Sequence, residues 1–402
     1  MKYIVMLGDG MADHPLKEIG GKTPLDVAVK PYIDNFAKKG VVGIVKTVPD
    51  GMKPGSDVAN LGAMGYDPFT CYTGRSPLEA VSMGIKMSDT DVAIRCNLVT
   101  LSDEPNYADK TMVDYSSGEI TSEESKKIIE TVQEKLGTDV FHYYNGISYR
   151  HCLIWHNGKI DLDLTPPHDI SKRKITEHLP KQKELREMME KSYDILKDHP
   201  VNLDRIKRGL NPANSIWLWG EGTRPAVENF YEKFGVKGSV ISAVDLIKGI
   251  GISAGMNSID VEGATGNLKT NFKGKGEAAL KELTENGADF VYIHVEAPDE
   301  CGHQADLPGK IKSIELIDKE IVGPLTDGLR AKVEDFSILI LPDHPTPVEL
   351  MTHVAEPVPF VYYNSTDEKD SGVDCYCESA AKATGLYLDK GFEVMSMLLG
   401  RK

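Results

Sequence analysis

No apolar stretch of the sequence approaches the roughly 20 residues that a membrane-spanning helix needs, which excludes an integral helical membrane protein. Positive charge is also scarce: 46 Lys and Arg stand against 61 Asp and Glu, a formal net charge of -15. A surface of that sign excludes general binding to nucleic acid or to an anionic membrane, both of which need a cationic face. It leaves room for an anionic substrate in a locally basic pocket. Only 6 of the 402 residues are cysteine, with no C-x-x-C pair and no regular framework. The first residues lack a basic n-region and a long apolar h-region, so no secretory leader is expected, and reduced thiols in the cytoplasm are the expected setting. The P-loop pattern G-x-x-x-x-G-K-[ST] is absent. Gly249-Ile-Gly251-Ile-Ser-Ala-Gly255 misses the G-x-G-x-x-G spacing by one residue and follows a predicted helix, so a dinucleotide site is rejected as well.

What the sequence does contain is ordinary for a globular protein, 41% hydrophobic and 27% charged, and its length favours two or three domains. The run Tyr3-Ile-Val-Met-Leu-Gly-Asp9-Gly10 reads as a buried parallel strand ending at a carboxylate, where open α/β sheets place their ligands. A helix over about Pro24 to Lys39, accommodating Pro31, leads to a strand over Val41 to Thr47. Turn chemistry from Pro49 to Gly55 then meets a helical pattern, with Ser56 at the N-cap. Ser56 is open to two readings, a plain cap and a nucleophile whose phosphorylated form is stabilised by helix N–H groups.

The texture changes near residue 81. Asp91 to Thr100 reads as a strand carrying Arg95, Thr121 to Glu124 as a capping box with Gly137 closing its helix, and residues 140–144 and 148–155 as a hairpin pair. A polar stretch containing His168 and Asp169 precedes a helix through about Lys197. This lack of βαβ alternation predicts a separate α+β module over residues 81–237, with residues 1–80 and 238–402 on either side. The α/β texture returns with Trp217 to Trp219, a helix from Pro225 to Phe234, a strand at 238–242 and a helix through Lys248. A helix over Glu277 to Asn286 precedes the strand Asp289 to Ala297, and a helix from Lys310 to Lys332, kinked at Pro324, precedes the strand Phe336 to Leu341. A further strand, Val358 to Tyr363, and a short helix at 393–399 complete the chain. Lys172 to Lys174, and Arg205, Lys207 and Arg208, read as solvated charge runs, and His294 as a core histidine outside any ligand set.

Three apolar strands end in metal-ligand residues: Asp9; Asp299 and His303; Asp343 and His344. If they share one sheet, their carboxyl ends gather on one edge. Asp299 and His303 are four apart and address one ion from a single turn, and His353 lies ten residues beyond Asp343. Mixed carboxylates and imidazoles suit Mn²⁺, Zn²⁺, Co²⁺ or Fe²⁺. Two metals beside a serine describe a phosphoryl-transfer site, which moves Ser56 from cap to nucleophile.

The order Asp9-Gly10, Gly55-Ser56-Asp57, Asp299-x-x-x-His303, Asp343-His344 and His353 resembles the metal-binding core of the alkaline phosphatase superfamily. Pro54-Gly-Ser-Asp-Val-Ala-Asn-Leu, Tyr72-Thr-Gly-Arg75-Ser-Pro-Leu-Glu-Ala, Ser148-Tyr-Arg-His and Glu296-Ala-Pro-Asp-Glu-Cys-Gly-His resemble the archaeal-type cofactor-independent phosphoglycerate mutases, over essentially the whole chain. The resemblance implies an alkaline-phosphatase-like three-layer α/β core with a mostly parallel sheet and an inserted smaller α+β domain. It implies two divalent ions (Mn²⁺ first, with Zn²⁺, Co²⁺ or Mg²⁺ also accommodated), one held by Asp299, His303 and His353 and the other by Asp9, Ser56, Asp343 and His344. Asp57 would support the helix N-terminus. Arg75, Arg95, Arg150, His168 and Asp169 would contact a small phosphorylated hydroxy acid. The implied reaction is 3-phosphoglycerate to 2-phosphoglycerate through a phosphoserine, with no bisphosphoglycerate, and with the inserted domain closing about hinges near 79–82 and 236–242 to exclude water. A homoserine kinase-like phosphotransferase or a phosphohydrolase is the alternative. A non-catalytic metal- or phosphate-binding protein would have no use for Ser56. Oligomerisation is compatible with the sequence.

Overall fold

A computed structural model describes residues 1–400. In chain order its strands are β1 (Lys2–Gly8), β2 (Val41–Val45), β3 (Val92–Leu101), β4 (Met112–Asp114), β5 (Phe141–Ile147), β6 (Arg150–Trp155), β7 (Ser215–Thr223), β8 (Gly238–Ile241), β9 (Asn257–Ile259), β10 (Phe290–Val295), β11 (Phe336–Leu341), β12 (Val358–Asn364) and β13 (Tyr387–Leu388). The chain divides into two compact units, Met1–Tyr72 with Ala226–Lys402, and Thr73–Pro225. The second begins ahead of the texture change at residue 81 because the helix Arg75–Ser82 packs on β3 and β7.

The first unit is an α/β core around an eight-stranded sheet in the order β13-β2-β12-β11-β1-β10-β8-β9. Only β12 runs antiparallel to its neighbours. Every residue of β10 and β11 is buried, as expected of central strands covered on both faces. Ile4, Met6, Ile293 and Ile338 face a core completed by the helices Pro31–Lys39, Phe272–Thr284 and Leu307–Leu316. The helices Asp245–Ser253 and Glu393–Leu398 pack on β8 and β11, and both meet the helix Ser56–Ala63. Registers Tyr3↔Phe290 through Gly8↔Val295, and Lys2↔Phe336 through Leu7↔Leu341, bring the carboxyl ends of β1, β10 and β11 side by side.

Several helices depart from their expected bounds. The segment Pro24 to Lys39 is two helices, Pro24–Val27 and Pro31–Lys39: Ala28 leaves the helical region at φ -64°, ψ 135°, and Lys30 before Pro31 is non-helical as well. The long helix over 307–331 changes from α to π at Ile317–Val322, ahead of Pro324, and returns to α at Gly323. Pro324 lies just beyond the π stretch, near the start of Gly323–Ala331. After Pro225 only Phe230–Phe234 is helical, with the Asn229 side chain accepting from the N–H groups of Tyr231 and Glu232. The helix expected from Glu277 starts earlier, at Phe272, with Asn271 as its N-cap. The helix expected to end at Lys248 continues to Ser253 and takes in Gly251, where a Cβ would stand 2.4 Å from Val240 Cγ1.

The second unit is built on a five-stranded antiparallel sheet in which β3 pairs with β4, β6 and β7, and β6 with β5. The helices Ser122–Leu136 and Lys183–Leu196 complete its core. Arg205 is not a solvated charge: it is buried, donates to Ser117 O, and shares Glu124 with Arg208. Lys172, Arg173 and Lys174 are exposed.

Candidate active site

Asp9 directly follows β1, and the next residue has to be glycine. Gly10 takes φ +61°, and a Cβ there would meet Thr346 Oγ1 at 2.6 Å and the Asp299 Cα at 2.7 Å. This close approach lets the Gly10 N–H donate to Asp343 Oδ1 at 3.1 Å and draws the loops after β1, β10 and β11 together. Ser56 is the first residue of the helix Ser56–Ala63, and the cap itself is Gly55. The serine side chain therefore makes no cap bond. Its Oγ lies 3.4 Å from Asp9 Oδ2 and 3.2 Å from His344 Nε2.

The ligand-type residues form two groups. Asp9, Asp343 and His344 offer ligand atoms all within 4.8 Å of one another, and so do Asp299, His344 and His353. His344 thus lies between the two groups, its ring stacked on His353 at 3.9 Å between centroids. His303 Nε2 is 3.3 Å from Asp299 Oδ2 and 2.9 Å from His353 Nε2, so it joins the second group. Asp57, in contrast, turns aside and accepts the Tyr72 hydroxyl at 2.5 Å.

Sequence reasoning missed the residues that hold this edge in place. His294 Nε2 reaches Asp9 Oδ2 at 2.9 Å, with Ser242 Oγ 3.2 Å from its Nδ1, so it is a site residue and not merely packing. A single imidazole in an otherwise apolar strand beside β1 was the available signal. Asn60, one turn after Ser56, donates to Asp343 Oδ2 at 3.0 Å and to Ser56 O at 2.8 Å, and accepts the Tyr292 hydroxyl at 2.7 Å. Thr346 Oγ1 donates to Asp299 Oδ1 at 2.5 Å.

The electrostatics are those of a site short of positive charge. Burial, then the carboxylates of Asp343, Asp299 and Glu296, push the Asp9 carboxyl well above the usual range. Burial acts on Asp299 in the same sense, but its bonds to His303 and His353 outweigh it and hold the group well below that range. The hydrogen bond to Asp299 raises His303 to about 9, whereas desolvation lowers His344 and takes His294 to about 3. Among the described residues Asp9 Oδ1 is buried without a hydrogen-bond partner. Two imidazole nitrogens converging on one carboxylate, and a buried carboxylate oxygen with no donor, are what a divalent cation would satisfy. The mixed donor set suits a borderline transition ion. With a serine at hand, such a pair of centres can serve in-line phosphoryl transfer.

In the second unit Arg75, Arg95 and Arg150 gather around one carboxylate that sequence reasoning did not single out, and His168 packs against Trp219 beside them. Glu79 lies 2.8 Å from Arg75 Nε and 3.1 Å from Arg95 Nε. Arg95 stacks 4.3 Å over the Trp219 ring, whose other neighbour is His168 at 5.3 Å between centroids. Arg150, on β6, stands 5.5 Å over Tyr149 and helps hold Glu79 ionised. Asp169 is exposed and 3.5 Å from His168, at the edge of the group.

The chain is similar to known proteins along its whole length. The model of the family described as 2,3-bisphosphoglycerate-independent phosphoglycerate mutase matches residues 37–202. A probable 2,3-bisphosphoglycerate-independent phosphoglycerate mutase of Geobacter sulfurreducens is 50% identical over 404 residues, covering 100% of both chains. One from Methanosarcina barkeri is 47% identical over 407 residues, again covering 100% of both. The solved structure of a Pyrococcus horikoshii protein superposes with a TM-score of 0.82 at 28% identity, covering 100% of this chain and 98% of that one. The cofactor-independent phosphoglycerate mutase of Thermoplasma acidophilum shares the fold, with a TM-score of 0.67 at 24% identity, covering 100% of this chain and 99% of that one. The chain belongs to the 2,3-bisphosphoglycerate-independent phosphoglycerate mutase family.

Proposed function

We propose that this chain interconverts 3-phosphoglycerate and 2-phosphoglycerate through a phosphoserine at Ser56, without bisphosphoglycerate. Alongside full-length similarity to relatives that carry this activity in their names, one observation carries the reading: the Ser56 hydroxyl, released from capping, faces Asp9 and His344. Two divalent ions, for which we propose Mn²⁺, would be held by Asp9, Ser56, Asp343 and His344 and by Asp299, His303 and His353, and would supply Lewis acidity and neutralise phosphate charge. Ser56 Oγ–H donates towards Asp9 Oδ2, and as its oxygen bonds to phosphorus the substrate's ester oxygen departs, the proton given up by the serine balancing the one the departing oxygen takes up. The other hydroxyl of the retained glycerate then recovers the phosphoryl group and frees the serine. The helix opening at Ser56 directs its first backbone N–H groups at the transferred anion. We assign recognition of the acid's carboxylate to Arg75, Arg95, Arg150 and His168, with Asp169 orienting His168. Their planar guanidinium forks suit it. The substrate is a charged acid that does not cross membranes unaided, so we place the enzyme in the cytoplasm.

The test is ³¹P NMR of Mn²⁺-loaded protein with 3-phosphoglycerate alone. Growth of the 2-phosphoglycerate resonance supports the proposal. Release of inorganic phosphate only would make the chain a hydrolase. A phosphotransfer that needs ATP and homoserine would make it a kinase.

A further inference from the structure

The carboxylate at the centre of the cationic cluster has no part in the chemistry above, and it is shared between two arginines. Arg95 is nine-tenths buried in the middle of β3, where an apolar side chain would serve stability at least as well. An arginine paired for stability commonly presents two parallel N–H groups to a carboxylate. Glu79 is shared between two arginines, one carboxylate oxygen 2.8 Å from Arg75 Nε and the other 3.1 Å from Arg95 Nε. Glu79 and Trp219 confine the Arg95 guanidinium together, the carboxylate beside its Nε and the ring across its face. Burial would raise the pKa of Glu79, yet the cations of Arg95, Arg75 and Arg150 lower it, so the grip is that of a charged group.

We propose that Glu79 is a positioning residue: it presets Arg95, and with it Arg75, as a fixed fork for the carboxylate of a phosphorylated hydroxy acid. This rests on the phosphoglycerate reading for its ligand and on the cluster's own geometry for the rest. Because the carboxylate of the substrate is unchanged between ground and transition states, such a residue acts on binding more than on turnover.

The experiment compares Mn²⁺-loaded full-length wild type with Glu79→Gln and Glu79→Asp. Glu79→Gln should raise KM for 3-phosphoglycerate about tenfold while changing kcat less than about threefold. Its affinity for inorganic phosphate, which has no carboxylate, should stay that of wild type. Glu79→Asp keeps the charge but is one methylene short of spanning both arginines, and should fall between. In ¹⁵N NMR rotation of the Arg95 guanidinium should be restricted in wild type and faster in Glu79→Gln, with the Arg95 Nε–H as the probe. An unchanged KM overturns the proposal. So does a lower one, which would show Glu79 merely repelling the anion, and so does a parallel loss of phosphate affinity. If Glu79→Gln does not fold, a wild-type KM in Glu79→Asp is the overturning result. If wild type does not turn over phosphoglycerate, the functional reading fails by itself and the Arg95 Nε–H comparison still decides the positioning claim.

Discussion

Asn60 is the residue whose replacement most sharply tests how the ligand edge is built. It is fully buried, and its amide joins three elements: Nδ2 donates to Asp343 Oδ2 and Ser56 O, while Oδ1 accepts the Tyr292 hydroxyl. Asn60→Ala removes a hydrogen bond to a charged carboxylate, costing about 1.5–3 kcal/mol, and leaves the Tyr292 hydroxyl buried without a partner, costing about 1–3 kcal/mol more. Alanine's better helix propensity returns about 0.5 kcal/mol. The expected net loss is roughly 2–5 kcal/mol, a large part of the about 5–15 kcal/mol a folded chain has. Tyr292→Phe alone should cost about 1–3 kcal/mol, because Asn60 Oδ1 is then the group left unpaired. The double variant leaves neither group orphaned, so it should be more stable than the sum of the two by about 1–2 kcal/mol. Urea unfolding in chelator reads these values without metal linkage. Additivity within about 0.5 kcal/mol would refute the relay from Tyr292 through Asn60 to Asp343.

Two further outcomes follow from the titrating groups. His151 is buried in the second unit, accepts the Gly146 N–H at 3.0 Å, and is pushed by desolvation down to about 3. A depressed histidine stabilises the fold above its ordinary value and loses that contribution as pH falls, so stability should drop by about 1.4 kcal/mol between pH 7.5 and 5.5. His151→Phe should flatten that part of a urea-midpoint-against-pH curve, and an unchanged slope would contradict the assignment. In the metal-free protein His303 titrates near 9 through its bond to Asp299. A metal-ligating imidazole must be deprotonated, so adding Mn²⁺ at pH 8 should release close to one proton, read by calorimetry in buffers of different ionisation enthalpy. His303→Ala should lose that release; release unaltered in this variant would remove His303 from the ligand set.

How much of this was legible follows from what a sequence displays. The apolar runs that became β1, β10 and β11 are readable because central parallel strands are buried on both faces, and their parallel pairing brings Asp9, Asp299 and Asp343 to one edge. The ends of helices were less readable. The first helix ends at Val27 and Pro31 opens a second one, and the helix over 307–331 changes to π ahead of Pro324. The supporting residues were not readable at all, because their roles are tertiary. His294 looks like any core histidine until β10 is paired with β1, which places it opposite Leu7 and within reach of Asp9. Glu79 reads as an ordinary helical acid until β3 and β7 bring Arg95 and Trp219 beside it. Arg205 read as a surface charge because nothing local signals Glu124, 81 positions away.

The central claim is that the phosphoryl group passes through Ser56. Rapid acid quenching of Mn²⁺-loaded protein with 3-phosphoglycerate, followed by peptide mass spectrometry, reads this directly. A phosphate on the peptide carrying Ser56, present in wild type and absent from a folded, metal-binding Ser56→Ala that no longer interconverts the phosphoglycerates, is the predicted result. Interconversion that persists in Ser56→Ala, or a phosphate on another residue, would contradict it.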